Sequence, residues 1–409
     1  MAVLSTAMNA ALQEQTSWQE ALLKDFHRHP ELSMREERTR DVIAAQLIKY
    51  GYEVHEIGGG VVGVLAGGKG GEGRTVLFRA DIDGLPVQEA SGLDYASIAT
   101  QTDADGVEQP TMHACGHDFH ITAGLGAAQL LAEHREDWSG TYVALFQPGE
   151  EKAAGARSMV EDGVVDAIPT PDVCLGQHVL TDPVAGKVAV TSGPVMSTAA
   201  SARIVVHGAG SHGSMPHLGV DPVVLASAIV TRIQTLVARE LSPADFGVVT
   251  VGSLQAGSSA NIIPDSATML LNFRAYDEDI LERLIEGARR MVRAECEAAR
   301  SPHEPEIEIY DRYPLTTNDE AAADVVRDGF LAQFGQERVE EMSPVTASED
   351  FSIVPDAFGS PYCYWGVGAY AEGRETYPNH SPLWSPDLQP TLRMGTEAAA
   401  TAVLAHLHA

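Results

Sequence analysis

The segment Thr75-Val76-Leu77-Phe78-Arg79-Ala80-Asp81-Ile82-Asp83 decides the fold. Its apolar, β-prone first half reads as a buried strand over Thr75–Ala80, and Asp81 and Asp83 place two carboxylates where that strand ends. Working outward, Val61–Ala66 is a second β-rich run on the N-terminal side. On the C-terminal side a helical stretch over Ile121–His134 precedes strands at Tyr142–Phe146 and Val173–Leu175. This alternation predicts an α/β unit with a mostly parallel central sheet flanked by helices. Further back, Trp18, Leu22 and Phe26 recur at i, i+4, and Ser33 with Glu36 spells a capping box before a periodic stretch ending at Tyr50-Gly51, so two helices are predicted there. Gly58–Gly73 is glycine-rich and predicts a turn; no Gly-Lys-Ser/Thr ending follows, so it is no phosphate loop.

Around Gly193-Pro194 the pattern changes. Ala202–His207, Pro222–Arg239, Val248–Val251, Ala267–Phe273 and a long helix over Asp277–Arg300 follow a strand, helix, strand, strand, helix order, closed by a further strand. An inserted α+β sandwich over residues 194–310 is predicted. After Tyr313-Pro314 the α/β style returns with a helix over Glu320–Phe334, a strand over Tyr362–Trp365 and a final helix from Leu388. Residues 1–193 and 311–409 then form one discontinuous catalytic domain.

The 409 residues exceed one ordinary core and predict two or three domains. Hydrophobic residues at 44% and charged residues at 21% are globular values, and no apolar run approaches the ~18 residues of a membrane helix. Lys+Arg number 27 against 57 Asp+Glu, a net charge of −30 that repels phosphate backbones and anionic lipid. Nucleic acid and membrane surfaces are therefore excluded as partners. Four scattered cysteines, and a start over Met1–Thr16 without the basic flank and apolar block of an export signal, predict a cytoplasmic protein.

Met112 through His120 gathers one thiol, three imidazoles and a carboxylate within nine positions. Sulfur and imidazole nitrogen are zinc-type donors, and alternate residues of an extended segment can face one ion. The plainer reading is a helix start capped by Asp118 with an inert buried cysteine. Gln147-Pro148-Gly149-Glu150-Glu151 follows an apolar strand, and adjacent carboxylates there repel unless a cation or a proton intervenes. That pattern suits a metal ligand beside a general base, although an isolated Glu-Glu pair would be a solvated turn. Asp81, Asp83 and His178 offer further donors at strand ends, where open α/β sheets bind their ligands. His380 lies in a turn-rich loop and His212 in a glycine-rich one. Asn261 adds an amide, and Arg274 a guanidinium able to grip a carboxylate or to serve in a surface ion pair.

As an ordered set these strings resemble the aminoacylase, hippurate hydrolase and auxin-conjugate hydrolase branch of the di-metal peptidase-like amidohydrolases. The carrying strings are Phe78–Pro86, Met112–His120, Gln147–Glu151, Gln177–Val179, His212–Ser214, Asn261–Pro264, Ser348–Phe351 and Asn379–Ser381, in the family's order, and the resemblance covers nearly the whole chain. The resemblance implies two divalent metal ions per subunit, zinc first, with manganese, cobalt and nickel open. It implies metal ligands at Cys115, His117, Glu151, His178 and His380, with Cys115 bridging, Asp83 orienting a ligand histidine, and Glu150 as the base. By the same resemblance residues 194–310 form a ferredoxin-like lid and dimerisation domain. His212 would reach the partner's site in a homodimer, and Asn261 and Arg274 would hold the substrate's α-carboxylate. Related branches carry His-x-Asp and a bridging aspartate where this chain has Asp81-x-Asp83 and Cys115, and that leaves the preferred metal open.

The implied activity is hydrolysis of an N-acyl-L-amino acid. A dipeptidase or carboxypeptidase on the same site is the alternative, but no contact for a free substrate amine is identifiable. A catalytically silent metal-dependent binding protein would need the ligands without the base, and Glu150 is present.

Overall fold

The computed structural model describes residues 3–70 and 73–408. In chain order the main elements are helices α1 (Thr6–Arg28) and α2 (Glu37–Lys49), strands β1 (Glu53–Ile57), β2 (Gly60–Ala66) and β3 (Thr75–Asp81), and helix α3 (His117–Glu133). Strands β4 (Thr141–Gln147), β5 (Val173–Leu180), β6 (Val188–Ala189) and β7 (Thr198–His207) follow, then helices α4 (Pro222–Ile233) and α5 (Thr235–Glu240). Strands β8 (Gly247–Ala256) and β9 (Ser266–Ala275), helix α6 (Glu278–Ala298), strand β10 (Glu306–Tyr313), helix α7 (Glu320–Phe334), strands β11 (Val339–Glu340) and β12 (Tyr362–Gly368), and helix α8 (Leu388–Leu407) complete the chain. It divides into two compact units, one of residues 1–195, 317–343 and 350–409, the other of 196–316 and 344–349.

The first unit is built on an eight-stranded sheet in the order β1-β2-β4-β3-β5-β12-β6-β11. Its centre, β4-β3-β5-β12, is parallel, so four carboxyl ends share one edge of the sheet. The central strands are buried along nearly their whole length, as the continuous apolar runs of a doubly covered parallel sheet require. Helix α3 is buried on almost all sides and α8 packs against it. Phe78, Phe330, Trp365 and Met394 belong to the same core.

In the second unit an antiparallel sheet, β8-β9-β7-β10, carries α4 and α6. Helix α6 shows why. Ile280, Leu281, Leu284, Ile285, Ala288, Met291 and Val292 recur at helical spacing and are buried, while Asp277 caps the start by accepting the Ile280 N–H at 3.0 Å.

Several expectations need correction. Ser33 and Glu36 form no capping box: the Ser33 hydroxyl donates to Asp83 and the Glu36 carboxyl accepts from Met34 and Gly149. Glu31 caps α2 instead, accepting the N–H groups of Arg38 and Thr39 at 3.1 and 2.7 Å. β5 runs on through His178, which therefore lies inside a strand rather than after one. The helix expected over Pro222–Arg239 breaks at Gln234 into α4 and α5. Contrary to the sequence reading, Pro222–Glu240 is long and apolar enough to cross a membrane by length and composition; Leu225, Ala226, Ile229, Ile233 and Leu236 in it belong to the core of the second unit. Within Gly58–Gly73 only part is turn, since β2 occupies Gly60–Ala66; Gly71 and Glu72 of that stretch lie outside the described residues.

Phe330 is fully buried, with its ring edge-on to Trp365 at 5.4 Å between centroids. Phe330→Ala is expected to cost about 3–5 kcal/mol of unfolding free energy, read from urea denaturation. A change below ~1 kcal/mol would mean that this face of the sheet is not the tightly packed core described.

Candidate metal centre

The shared carboxyl edge gathers the polar residues. β3 ends at Asp81, which pairs in register with Gln147 at the end of β4, and β5 carries His178 opposite Gly366 of β12. The segment before α3 brings Cys115, then Gly116 at φ +88°, a left-handed turn that lets the chain enter the helix with His117 as its first residue. The loop at 379–380 is pinned to the same place. The Asn379 amide donates to the carbonyls of Cys115 and Val179 at 3.2 and 3.3 Å, and the His380 N–H donates to the Ala114 carbonyl at 2.7 Å.

Cys115, His117 and His178 present donor atoms that lie within 4.8 Å of one another, and so do Cys115, Glu151 and His380. Cys115 is common to both sets. Each buried imidazole has one nitrogen committed. His117 Nδ1 donates to the Asp83 carboxylate at 3.2 Å and its carbonyl at 3.0 Å; His178 Nδ1 donates to the Val179 carbonyl at 2.9 Å. Both Nε2 atoms are thereby left facing the cluster, the arrangement in which a carboxylate or carbonyl fixes the tautomer of a ligand histidine. His117 Nε2 lies 3.9 Å from both Glu150 and Glu151, and His380 Nε2 lies 3.3 Å from Glu151. His117 Nε2 and Glu151 Oε1 are buried without hydrogen-bond partners among the described residues, which is costly unless a cation joins them. One sulfur, three imidazoles and one carboxylate suit a borderline divalent cation such as zinc.

The field points the same way. Burial pushes the Cys115 thiol well above its ordinary value, and Glu151, Glu150 and Asp81 add to it, so the sulfur keeps its proton unless a metal takes its place. Burial alone would lower His117, but Asp81, Asp83 and Glu151 outweigh it and raise it to about 10. His178, buried beside His120 with less help from carboxylates, is held well below 6.5 and stays neutral.

His120 does not belong to the ligand set, because its Nδ1 donates to Asp81 at 2.5 Å and its Nε2 accepts the Val179 N–H at 2.9 Å. Asp81 is likewise spent, between His120 and Arg79 at 2.6 Å. Arg79 is fully buried in β3 and also donates to Gln147 and Asp350. An arginine inside an apolar strand signals a buried acid, a sign the sequence offered and the reading did not use. Asp118 does not cap α3; it accepts from His27 at 2.8 Å, and Glu89 lies on the other His27 nitrogen at 3.1 Å.

His212, Asn261 and Arg274 lie in the second unit. His212 pairs with Ile262 in a short antiparallel ladder, and the Gly213 N–H donates to the Asn261 carbonyl at 2.8 Å, so His212 and Asn261 are exposed neighbours. His212 Nδ1 accepts from the Ser214 N–H at 3.1 Å and lies 2.8 Å from its hydroxyl. Arg274 donates to the Asn272 side chain, the Thr346 carbonyl and the Ser348 hydroxyl, and forms no surface ion pair among the described residues.

Residues 77–403 match the profile of peptidase family M20/M25/M40. The chain belongs to this family. It is 35% identical over 394 residues to thermostable carboxypeptidase 2 of Saccharolobus solfataricus, covering 95% of each chain. It is also 35% identical to hippurate hydrolase of Campylobacter jejuni, over 82% of this chain and 84% of that one. The Bacillus subtilis YXEP protein, a dinuclear metal binding peptidase from the M20 family, superposes with a TM-score of 0.78 at 27% identity, covering 97% and 99% of the two chains. As a member of M20/M25/M40, the chain is a metal-binding hydrolase of amide bonds.

The buried ion pair beneath the site sets a pH dependence. Burial lowers His27, but Asp118 and Glu89 raise it to about 9 in the folded protein. A histidine raised above its unfolded 6.5 contributes stability that is complete below pH 6.5 and lost as pH rises through about 9. Wild-type unfolding free energy is expected to fall across that window by at most ~3 kcal/mol more than that of His27→Gln. Parallel curves for the two proteins would refute the assignment.

Proposed function

We propose that the chain hydrolyses N-acyl-L-amino acids to a carboxylic acid and a free amino acid, with two divalent cations held by Cys115, His117, Glu151, His178 and His380. The observation that carries this reading is the pair of donor sets sharing Cys115, with the carboxylate of Glu150 beside them. Cations held there would supply Lewis acidity to the amide carbonyl and acidify water. Zinc suits the sulfur and imidazole donors first, with manganese, cobalt and nickel also compatible.

Glu150 takes a proton from the attacking water as its oxygen bonds to the carbonyl carbon, and returns it to the nitrogen as the C–N bond breaks. Glu150 is buried, which keeps the proton transfer away from bulk water. Asp83 holds His117 through Nδ1 throughout. His212 serves as donor to the developing oxyanion of the partner subunit's site; acceptance of the Ser214 N–H by Nδ1 puts its own proton on Nε2, the tautomer that role needs. Asn261 and Arg274 hold the α-carboxylate of the amino acid, Arg274 being already oriented by Asn272, Thr346 and Ser348.

A homodimer is supported by apolar surface on the second unit. Val223 and Val224 of α4, Val237 of α5 and Leu254 of β8 are all exposed large side chains of the kind interfaces cover. A cytoplasmic setting is supported by four cysteines that are all free and buried. The similarity to thermostable carboxypeptidase 2 favours a second reading, cleavage of C-terminal residues from peptides by the same chemistry.

A panel of N-acyl amino acids and short peptides separates the two readings, with bound metal measured in parallel. At least one N-acyl amino acid is expected to turn over faster than any peptide, and Glu150→Gln to lose about 10²- to 10⁴-fold in kcat with metal retained. Normal turnover by Glu150→Gln would remove it as the base. His212→Ala and Glu150→Gln subunits, each inactive, are expected to recover part of their activity when mixed and allowed to exchange. Confirmed exchange without recovery would show that His212 does not act across subunits.

A further inference from the structure

Glu36 is a buried acid that the proposed chemistry does not use, and its contacts give it a task. One of its oxygens accepts two backbone N–H groups, from Gly149 at 2.7 Å and from Met34 at 2.9 Å. The Gly149 bond reaches the turn that carries Glu150 and Glu151. That turn is a single 3₁₀ turn, Glu150–Lys152, bounded by Gly149 at φ +56° and Ala153 at φ +50°. Met34, at φ +64°, is a third residue in the left-handed region, and its sulfur lies against Gly149 so closely that a Cβ there would come within 2.4 Å of it. Left-handed backbone at alanine and methionine is unfavourable and persists only where neighbouring groups impose it. One carboxyl therefore ties together two irregular segments that would each relax if freed.

Asp83 makes a second tie between the same segments. Its Oδ2 accepts the Ser33 hydroxyl at 2.6 Å and the Glu151 N–H at 3.1 Å. From the outer side, Gln101 fixes the 31–36 segment by accepting the Leu32 N–H at 2.6 Å and donating to the Arg35 carbonyl at 3.0 Å. This gives the hairpin within Ile98–Pro110 a role as a brace.

We infer that Glu36 is a positioning residue that holds the Gly149–Ala153 turn in the conformation presenting Glu150 and Glu151 to the cations. The inference rests on the proposed roles of those two glutamates. Burial, with Asp83 nearby, raises Glu36 to about 8, so at neutral pH it is mostly uncharged and glutamine is a close mimic.

The test compares Glu36→Gln, which keeps the accepting oxygen, with Glu36→Met, which keeps volume and loses it. Two quantities are read: the kcat and KM for the best N-acyl substrate, and cobalt(II) affinity of the metal-stripped protein followed by its visible absorption. Glu36→Gln is expected to stay within about threefold of wild type in both, while Glu36→Met loses about 10- to 100-fold in kcat at little changed KM and binds cobalt(II) at least tenfold more weakly. Equal behaviour of the two variants, or wild-type behaviour of Glu36→Met, overturns the inference. If Glu36→Met does not fold, Glu36→Asp, with its acceptor withdrawn by one methylene, is expected to show the same losses to a smaller extent, and unchanged values overturn the inference. A wild-type protein that binds cobalt(II) but hydrolyses no N-acyl substrate would instead fail the functional reading, and the cobalt(II) comparison would still judge Glu36.

Discussion

Everything at the carboxyl edge of the large sheet hangs on one buried cation. Arg79 reaches Asp81 through Nη1, Asp350 through Nη2 and the Gln147 amide through Nε, which joins the ends of two adjacent strands to the segment that begins at residue 350. Neither carboxylate could stay ionised there alone, because the desolvation penalty of a buried, unpaired charge is several kcal/mol. With Arg79 in place, Asp81 has an oxygen left for His120, and His120 in turn accepts the Val179 N–H next to His178. A guanidinium outside the proposed ligand set thus fixes the backbone from which one candidate ligand projects. Lysine could not replace it, since a point charge cannot serve three partners in a fixed planar fork.

The candidate centre is assembled from four separate stretches of chain, and each is held by bonds outside the donor atoms. Asp83 steadies His117 and the Glu151 backbone together. Asn379 and the backbone of His380 are bonded to the segment at 114–115. Side chains with several rotatable bonds lose entropy when they converge, so a cluster of this kind is stable only if most of that cost is met by contacts made before any ion arrives.

What the sequence disclosed follows from which interactions are local. Parallel strands announce themselves by apolar runs, and Glu150, Glu151 and His178 stand at or near the ends of such runs, whereas Cys115 and His117 stand out by the density of donors just before and at the start of α3. β1 was invisible because Glu53-Val54-His55-Glu56-Ile57 is an exposed edge strand of mostly polar residues, with nothing buried until Ile57. Polar side chains misled where their partners are far along the chain. Ser33 and Glu36 have the spacing of a capping box, yet Ser33 bonds a residue 50 positions away and Glu36, besides Met34, bonds one 113 positions away. Asp118 has the position of a helix cap, and its partner is 91 residues back. Local spacing cannot distinguish a carboxyl that serves its own helix from one recruited by a distant loop, because both satisfy the same acceptor.

His117 and the Cys115 thiol show what the site is prepared for. His117 is driven toward its charged form by surrounding carboxylates, while the thiol between them and His178 is driven toward its neutral form by the same field and by burial. Both shifts express one preference, for protons on His117 and Cys115, whereas His178 beside His120 stays neutral. Protons satisfy that preference one atom at a time, while Glu151 Oε1 makes no hydrogen bond among the described residues and lies 3.3 Å from His380 Nε2 and 3.9 Å from His117 Nε2. A divalent cation satisfies it for sulfur, nitrogen and oxygen together, and converts the cost of gathered negative charge in a protein of net charge −30 into binding energy. The same negative field would repel an anionic substrate, so any carboxylate that approaches must meet a positive group on arrival.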